Sequence, residues 1–315
     1  MAGLMLALAA GGNLVESYGT LYRNILGIIS AILLVLLLAK IIKYPSAVKE
    51  ELKENELVCT DVEELDITNL DAVRLYTKKV KPDYIINCAA YTAVDKAEEQ
   101  EELVYKINAI GPKNLAIAAQ ENNAVLVHIS TDYVFGGDKD TSKDYNEDDE
   151  KNPQAVYGKT KLAGEKFIEE NCKKFYIFRT AWLYGEGHNF VRTMINLSKE
   201  HGEVKVVNDQ HGSPTYVVDL ASIIHQAMEK QIPFGVYNST NMGYTTWYDF
   251  TKMIYDLEGI NCKVTAVTSE EFKSAAKRPK NSQMSKSKLL KYGIKIPTYE
   301  DALKRYLKIE HEKNN

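Results

Sequence analysis

Two tyrosine–lysine pairs in this 315-residue chain carry a spacing that acid–base chemistry at a carbonyl could use. Tyr157 and Lys161 lie four apart in "AVYGKTKLAGE" (155–165), and Tyr248 and Lys252 repeat the interval in "WYDFTK". On a helix that interval puts both side chains on one face, one turn apart. A free phenol ionises near ~10, which makes it a poor acid or base at neutral pH. An ammonium one turn away favours the phenolate and brings it into range. Spacing alone does not separate the two pairs, but context does. Twenty-six residues before Tyr157 comes Thr131, in "VHISTDYVF" (127–135), where an apolar strand ends in Ser130-Thr131-Asp132. A hydroxyl there can hold a substrate carbonyl oxygen beside the phenol, although Ser, Thr and Asp also end strands as ordinary turn residues. No such triplet precedes Tyr248, which reads as packing or helix surface.

These side chains need strands and helices to position them. Short apolar runs, "LVCTD" (57–61), "DYIINCAA" (83–90), "AVLVHIST" (124–131) and "KFYIFRTAWLYG" (174–185), read as strands. They alternate with the helical "NLDAVRLYTKKV", "EELVYKINAIGPKNLAIAAQENN" and a helix from Tyr157 to Asn171. Such alternation predicts an α/β fold, a Rossmann-like doubly wound parallel sheet whose strands are buried on both faces. Past Gly185 the elements shorten into a smaller mixed α/β lobe. The predicted division is 1–43, an atypical hydrophobic segment; 44–185, the Rossmann-like domain; and 186–315, a substrate-binding lobe intertwined with it. Ligands of open α/β sheets sit at the carboxyl ends of the strands, where each motif above lies.

Composition removes several alternatives. A net charge of −4, spread along the chain, implies no nucleic-acid partner. Cys59, Cys88, Cys172 and Cys262 lie far apart, and the six histidines lack ligand spacing, so neither a disulfide frame nor a metal site is expected. One stretch departs from globular sequence. Ile25 to Ala39 is apolar or small apart from Ser30, and the run over 21–42 approaches the length that spans a bilayer. Lys40, Lys43 and Lys49 follow it and only Arg23 precedes it, so a helix there would anchor a cytoplasmic catalytic domain to the membrane. A buried helix of the folded domain, or sequence foreign to the ancestral gene, is the alternative. "SAVKEELKENE" reads as the end of a surface helix.

"STDYVF", "YGKTKLAGE", "NCAAYTAVDKAE" and "RTAWLYG", with "NDQHGSPT" (208–215) and "KRPKNSQMSKSKL" (277–289), resemble the dTDP-4-dehydrorhamnose reductase family of the extended short-chain dehydrogenase/reductase superfamily, over about residues 46–310. The resemblance implies reduction of the 4-keto group of a nucleotide-linked deoxy sugar, dTDP-4-dehydrorhamnose to dTDP-rhamnose. It also implies NADPH or NADH as cofactor, a nucleotide-sugar substrate and a homodimer. Thr131, Tyr157 and Lys161 would form the catalytic triad, with Tyr157 as general acid and Lys161 also bonding the nicotinamide ribose. Ala90, Tyr91 and Thr92 would line the cofactor, and Asp66 and Ile67 its adenine side. Asp132 and Trp182 would contact the sugar nucleotide, and Arg278 its diphosphate. Asp61 closes the second strand, where an acid suits the 2′-hydroxyl of NADH, although a capping Asp would look the same. Asp95 and Lys96 stay outside the site as solvated charges.

The amino terminus departs from the family. Gly11, Gly12 and Gly19 lack G-x-x-G-x-x-G spacing. The first forty or so residues are therefore expected to replace the family's first strand, turn and half-helix, removing a central strand and the pyrophosphate cradle; a degraded first strand and turn over "LMLALAAGGNL" is the lesser alternative. Two competing readings follow. One is a non-catalytic sugar-nucleotide or protein-binding subunit; the other is another extended-reductase chemistry such as epimerisation.

Overall fold

The computed structural model describes residues 2–7, 55–272 and 274–314. The chain divides into two compact units. The first holds the described residues of 1–130 together with 155–178 and 234–236; the second holds 131–154, 179–233 and the described residues of 237–315.

The first unit is built on a sheet that begins with strand β1 (Ala2–Ala7) and β2 (Asn55–Thr60). Helix α1 (Leu70–Val80) follows, capped by Asn69, whose side chain accepts the Ala72 N–H, and ended by Lys81 in the left-handed region. Next come β3 (Tyr84–Asn87), the single turn α2 (Val94–Ala97), α3 (Glu101–Tyr105), a π-helical turn at Lys106–Ile110 and α4 (Gly111–Glu121). Then come β4 (Val125–Thr131), α5 (Val156–Asn171) and β5 (Phe175–Thr180). With β10 (Gly235–Asn238) as an edge, the strand order is β10–β5–β4–β3–β1–β2. Strand β1 pairs in parallel with β2 and β3, and β3 with β4.

That order corrects the expectation that the central strand is missing. Ala2–Ala7 lies between β2 and β3, with Leu4 opposite both Leu57 and Tyr84. A strand needs only a short apolar run with free ladder groups on both sides. The lack of a glycine fingerprint bears on the turn after the strand, not on the strand itself. The order also fixes a topological switch: β2 lies on one side of β1 and β3 on the other. In open α/β sheets the ligand crevice opens at the carboxyl ends of two such strands.

The core of this unit explains its strand sequences. Ile85, Leu126 and Ile177 are fully buried among Val73 of α1, Leu115, Ala116, Ala118 and Ala119 of α4, and Ile168 of α5. The alanines keep one face of α4 small enough to lie close on the sheet. The predicted surface helix over "SAVKEELKENE" lies outside the described residues except for its last two, which begin β2. The apolar run 21–42 also lies outside them. Among the described residues no helix is long and apolar enough to cross a membrane.

The second unit is a set of small pairings. Strand β6 (Leu183–Tyr184) pairs with β9 (Thr215–Tyr216), β7 (Glu203–Val207) with β12 (Lys263–Val267), and β8 (His211–Gly212) with β11 (Thr245–Thr246). Around them lie α6 (Phe190–Glu200), α7 (Val217–Glu229), α8 (Trp247–Glu258), α9 (Ser287–Lys291) and α10 (Tyr299–Asn314). The single strand expected over 174–185 is broken, because Trp182 adopts φ 49°, in the left-handed region, between β5 and β6.

Candidate active site

Tyr157 and Lys161 sit in the first two turns of α5. The first turn is held by Glu98, whose carboxylate accepts the Val156 N–H at 2.9 Å. Tyr157 is half-buried against Tyr91, Ala97, Val104 and Ile107. Lys161 is 2% exposed. Its Nζ donates to the Ile129 carbonyl of β4 at 2.6 Å and lies 3.2 Å from His128 Nε2. Burial lowers the Lys161 pKa to about 8, against the opposing fields of Glu165 and Cys88. The second tyrosine–lysine pair has none of this: Lys252 is exposed, with its Nζ 5.4 Å above the Tyr248 ring. Burial of the lysine, which spacing does not report, separates the two.

Ser130, the first member of the predicted triplet, is turned to structural use. Its hydroxyl donates to Glu165 Oε1 at 2.5 Å, with both groups buried. Thr131 and Asp132 belong to the second unit. The Thr131 hydroxyl donates to Asp132 Oδ1 at 2.9 Å and accepts the Tyr133 N–H. The other Asp132 oxygen accepts from Ser282 at 2.5 Å. Burial raises the Asp132 carboxyl to about 6, although these hydrogen bonds oppose it.

Several groups that position the site were not read from the sequence. The π-helical turn is one. Pro112 has no N–H to give the Asn108 carbonyl, and the Gly111 N–H reaches back to Lys106 instead. Asn108 points its amide at the loop after β3, accepting the Tyr91 N–H at 2.8 Å and donating to the Tyr91 carbonyl at 3.1 Å. The chain order N-A-I-G-P, a polar residue on an apolar helix face just before a proline, was the available signal. His128 and Asn87, two polar residues inside apolar strands, were a second signal.

The residues predicted to line the cofactor lie in the loops after β2 and β3. Ala90, Tyr91 and Thr92 follow β3, one of the two switch-point strands, and Asn108 fixes the Tyr91 backbone there. Ile67 is buried, and its carbonyl accepts from Asn114 at 2.9 Å. Asp66 Oδ1 holds the Thr68 N–H and hydroxyl, both at 2.8 Å. Asp61 caps its own turn through the Glu63 N–H at 2.7 Å, and burial together with Glu64 raises its pKa. The segment where a glycine loop would follow β1 lies outside the described residues.

In the second unit Trp182 stacks on Trp247 with ring centroids 3.7 Å apart, and Gly212 leaves room for its indole. Arg278 is half-buried in a segment that staples the 137–143 loop. Asn281 Nδ2 lies within 3.2 Å of the Lys139, Asp140 and Lys143 carbonyls. Gly137, at φ 73°, approaches Pro279 too closely for any side chain.

The family described as RmlD substrate binding domain matches residues 45–311. A dTDP-4-dehydrorhamnose reductase of Salmonella typhimurium is 41% identical over 77% of this chain and 84% of its own length. A spore coat polysaccharide biosynthesis protein of Bacillus subtilis is 38% identical, over 80% and 88%. The crystal structure of a dTDP-4-dehydrorhamnose reductase from Clostridium acetobutylicum superposes with a TM-score of 0.83 at 43% identity, covering 98% of this chain and 99% of that one. The enzyme of Bacillus anthracis, solved in complex with NADP, gives 0.80 at 36%, with the same coverage. A Thermus thermophilus UDP-glucose 4-epimerase shares the fold, at a TM-score of 0.72 and 16% identity over 97% and 98% of the two chains. By family match, identity and superposition alike, the chain belongs to the dTDP-4-dehydrorhamnose reductase family.

Proposed function

We infer that this protein reduces the 4-keto group of dTDP-4-dehydrorhamnose to give dTDP-rhamnose, with NADPH or NADH as the reductant. The observation that carries the reading is the buried Lys161 anchored to the end of β4, one turn along α5 from Tyr157. The bound cofactor supplies the hydride to the carbonyl carbon. Tyr157 gives a proton to the carbonyl oxygen, Lys161 sets the charge around that phenol, and the Thr131 hydroxyl steadies the oxygen. Asp132 and Trp182 contact the sugar nucleotide, and the Arg278 guanidinium meets its diphosphate as a two-pronged donor. Ala90, Tyr91 and Thr92 line the cofactor, Asp66 and Ile67 its adenine end, and Asp61 its ribose.

The test is turnover. Purified full-length chain, given dTDP-4-dehydrorhamnose, should oxidise NADPH or NADH and release dTDP-rhamnose in equal amounts. Binding of the nucleotide sugar with no reductant consumed would instead make it a binding subunit. The apolar run 21–42 falls between β1 and β2, which pair in one sheet, so the single crossing of the bilayer expected from its length is ruled out. The run supports instead a membrane tether that enters and leaves on the cytoplasmic face, where the reductase lies. The chain should then stay in the pellet after an alkaline carbonate wash, and its release into the supernatant would reject the tether.

A further inference from the structure

Among the described residues of the first unit, two side chains of formal charge are buried, Lys161 and Glu165, each 2% exposed. They are opposite in sign and lie four residues apart on α5, an interval that puts them on one face, one turn from each other. Consecutive residues at the end of β4 grip them. The Ile129 carbonyl accepts from Lys161 Nζ at 2.6 Å, and the Ser130 hydroxyl donates to Glu165 Oε1 at 2.5 Å. Because these anchors are neighbours in one strand, the ammonium and the carboxylate lie within about 10 Å of each other. A charge taken out of water is costly unless an opposite charge accompanies it. The reaction as described uses Lys161 and leaves Glu165 without a task.

We propose that Glu165, held by Ser130, is a positioning residue that supplies the counter-charge of the buried Lys161 ammonium and so keeps the Tyr157–Lys161 pair in its working charge state. No other group facing Lys161 among the described residues supplies it. From β4, His128 is kept neutral by burial and by the charge of Lys161 itself, which hold its pKa well below the ordinary value. From the end of β3, burial pushes the Cys88 thiol up to about 12, so it carries no charge at neutral pH. On α5, Tyr157 lies one turn back as the proton donor, and Lys159, Lys166, Glu169 and Glu170 are exposed. From α4, Lys113 lies over the Phe167 ring, and just after α2 the Glu98 carboxylate is spent on the Val156 N–H. Burial pulls Lys161 down from its ordinary 10.5 to about 8, and the field of Glu165 is the largest that opposes it. Lys161 is thereby mainly an ammonium at neutral pH, the form that acts on the phenol. Without the carboxylate, burial would carry it to neutrality or below and leave an amine beside Tyr157. The catalytic consequence rests on Tyr157 and Lys161 as the reacting pair; the charge balance itself does not.

The test is a nuclear magnetic resonance titration of Lys161 in the cofactor-free full-length chain, labelled with ¹³C at the lysine ε-carbon and assigned by the signal lost in Lys161→Met. The parent should titrate near 8. Glu165→Gln keeps the shape and an acceptor for Ser130 but removes the charge. It should lower the Lys161 titration by about one pH unit or more, a tenfold or larger loss of proton affinity. Glu165→Asp keeps the charge and should restore most of it. In turnover with dTDP-4-dehydrorhamnose, the alkaline limb of kcat should move down by the same interval in Glu165→Gln. A fall in kcat alike at every pH would make Glu165 merely structural and overturn the proposal, and so would a Lys161 titration unmoved by Glu165→Gln. A parent Lys161 that titrates below 7 would overturn it too, whether or not the Glu165 variants fold. A titration that falls as stated in protein that turns nothing over would instead reject the reductase reading and leave this one standing.

Discussion

Gly164→Ala is the substitution in which intrinsic helix preference and the packing of the site disagree in sign. Gly164 lies inside α5, one turn beyond Lys161. In an exposed helix interior, replacing Gly by Ala stabilises by roughly 0.5–1 kcal/mol. Here a Cβ would sit 2.3 Å from the Asn108 carbonyl oxygen and 3.4 Å from the Pro112 ring. Carbon–oxygen contacts ordinarily settle at about 3.3–3.6 Å, so α5 and the π-helical turn must part by about 1 Å. Overpacking of that kind costs about 1–3 kcal/mol, which outweighs the helix gain. The net expectation is a melting temperature lower by several degrees, at about 2–4 °C per kcal/mol for a chain of this size. Turnover should fall further than stability does, because α5 carries Tyr157 and Lys161 while Asn108 holds the Tyr91 loop; a displacement near 1 Å at such groups is worth on the order of 10²-fold. Differential scanning calorimetry and initial rates on the same preparation test both effects. A variant at least as stable as the parent would refute the close approach and, with it, the role given to the π-helical turn.

Asp132→Asn should remove a pH dependence of stability. A carboxyl raised from its ordinary 3.8 to about 6 binds its proton more tightly in the fold, so the fold loses stability as pH rises from about 4 to 6, by on the order of 3 kcal/mol for this buried group. Denaturant midpoints of parent and variant across that range should converge at pH 4 and separate at pH 7, the variant being the more stable; a constant difference would place Asp132 at its ordinary value. The fragment 44–315 lacks β1, which pairs on both sides within the sheet, so it should not give a cooperative unfolding transition. A sharp transition near that of the full chain would remove β1 from the folding unit. Trp182→Ala should raise KM for the nucleotide sugar while leaving the cofactor dissociation constant within about twofold, since Trp182 and its partner Trp247 belong to the second unit. An equal loss in both would show the effect to be structural.

Much of this was legible in the sequence, for a physical reason. Strands buried on both faces are near-continuous apolar runs, so "LVCTD", "DYIINCAA" and "AVLVHIST" announced β2, β3 and β4 to within a few residues. What failed was inference from one missing motif. The absent glycine spacing was read as loss of a whole strand, yet "AGLMLA" needs only apolar residues and two neighbours to become β1. The break at Trp182 was hidden because a left-handed φ in an aromatic residue is set by its surroundings and leaves no composition signal. The groups around Lys161 were hidden for a different reason. His128, Asn87 and Asn108 act through pairings between elements distant in sequence, at separations of 41 residues for His128–Asn87 and 17 for Asn108–Tyr91, which no local period records.

The central claim is that Tyr157, and not its equally spaced counterpart Tyr248, supplies the proton. Tyr157→Phe and Tyr248→Phe differ from the parent by one hydroxyl each, so steady-state rates of NADPH and NADH oxidation with dTDP-4-dehydrorhamnose compare like with like. The account predicts a fall of roughly 10²–10⁴ in kcat for Tyr157→Phe, with melting temperature and cofactor dissociation constant little changed, and a rate within about twofold of the parent for Tyr248→Phe. Equal losses in the two variants, or a Tyr157→Phe protein that turns over at the parent rate, would contradict it.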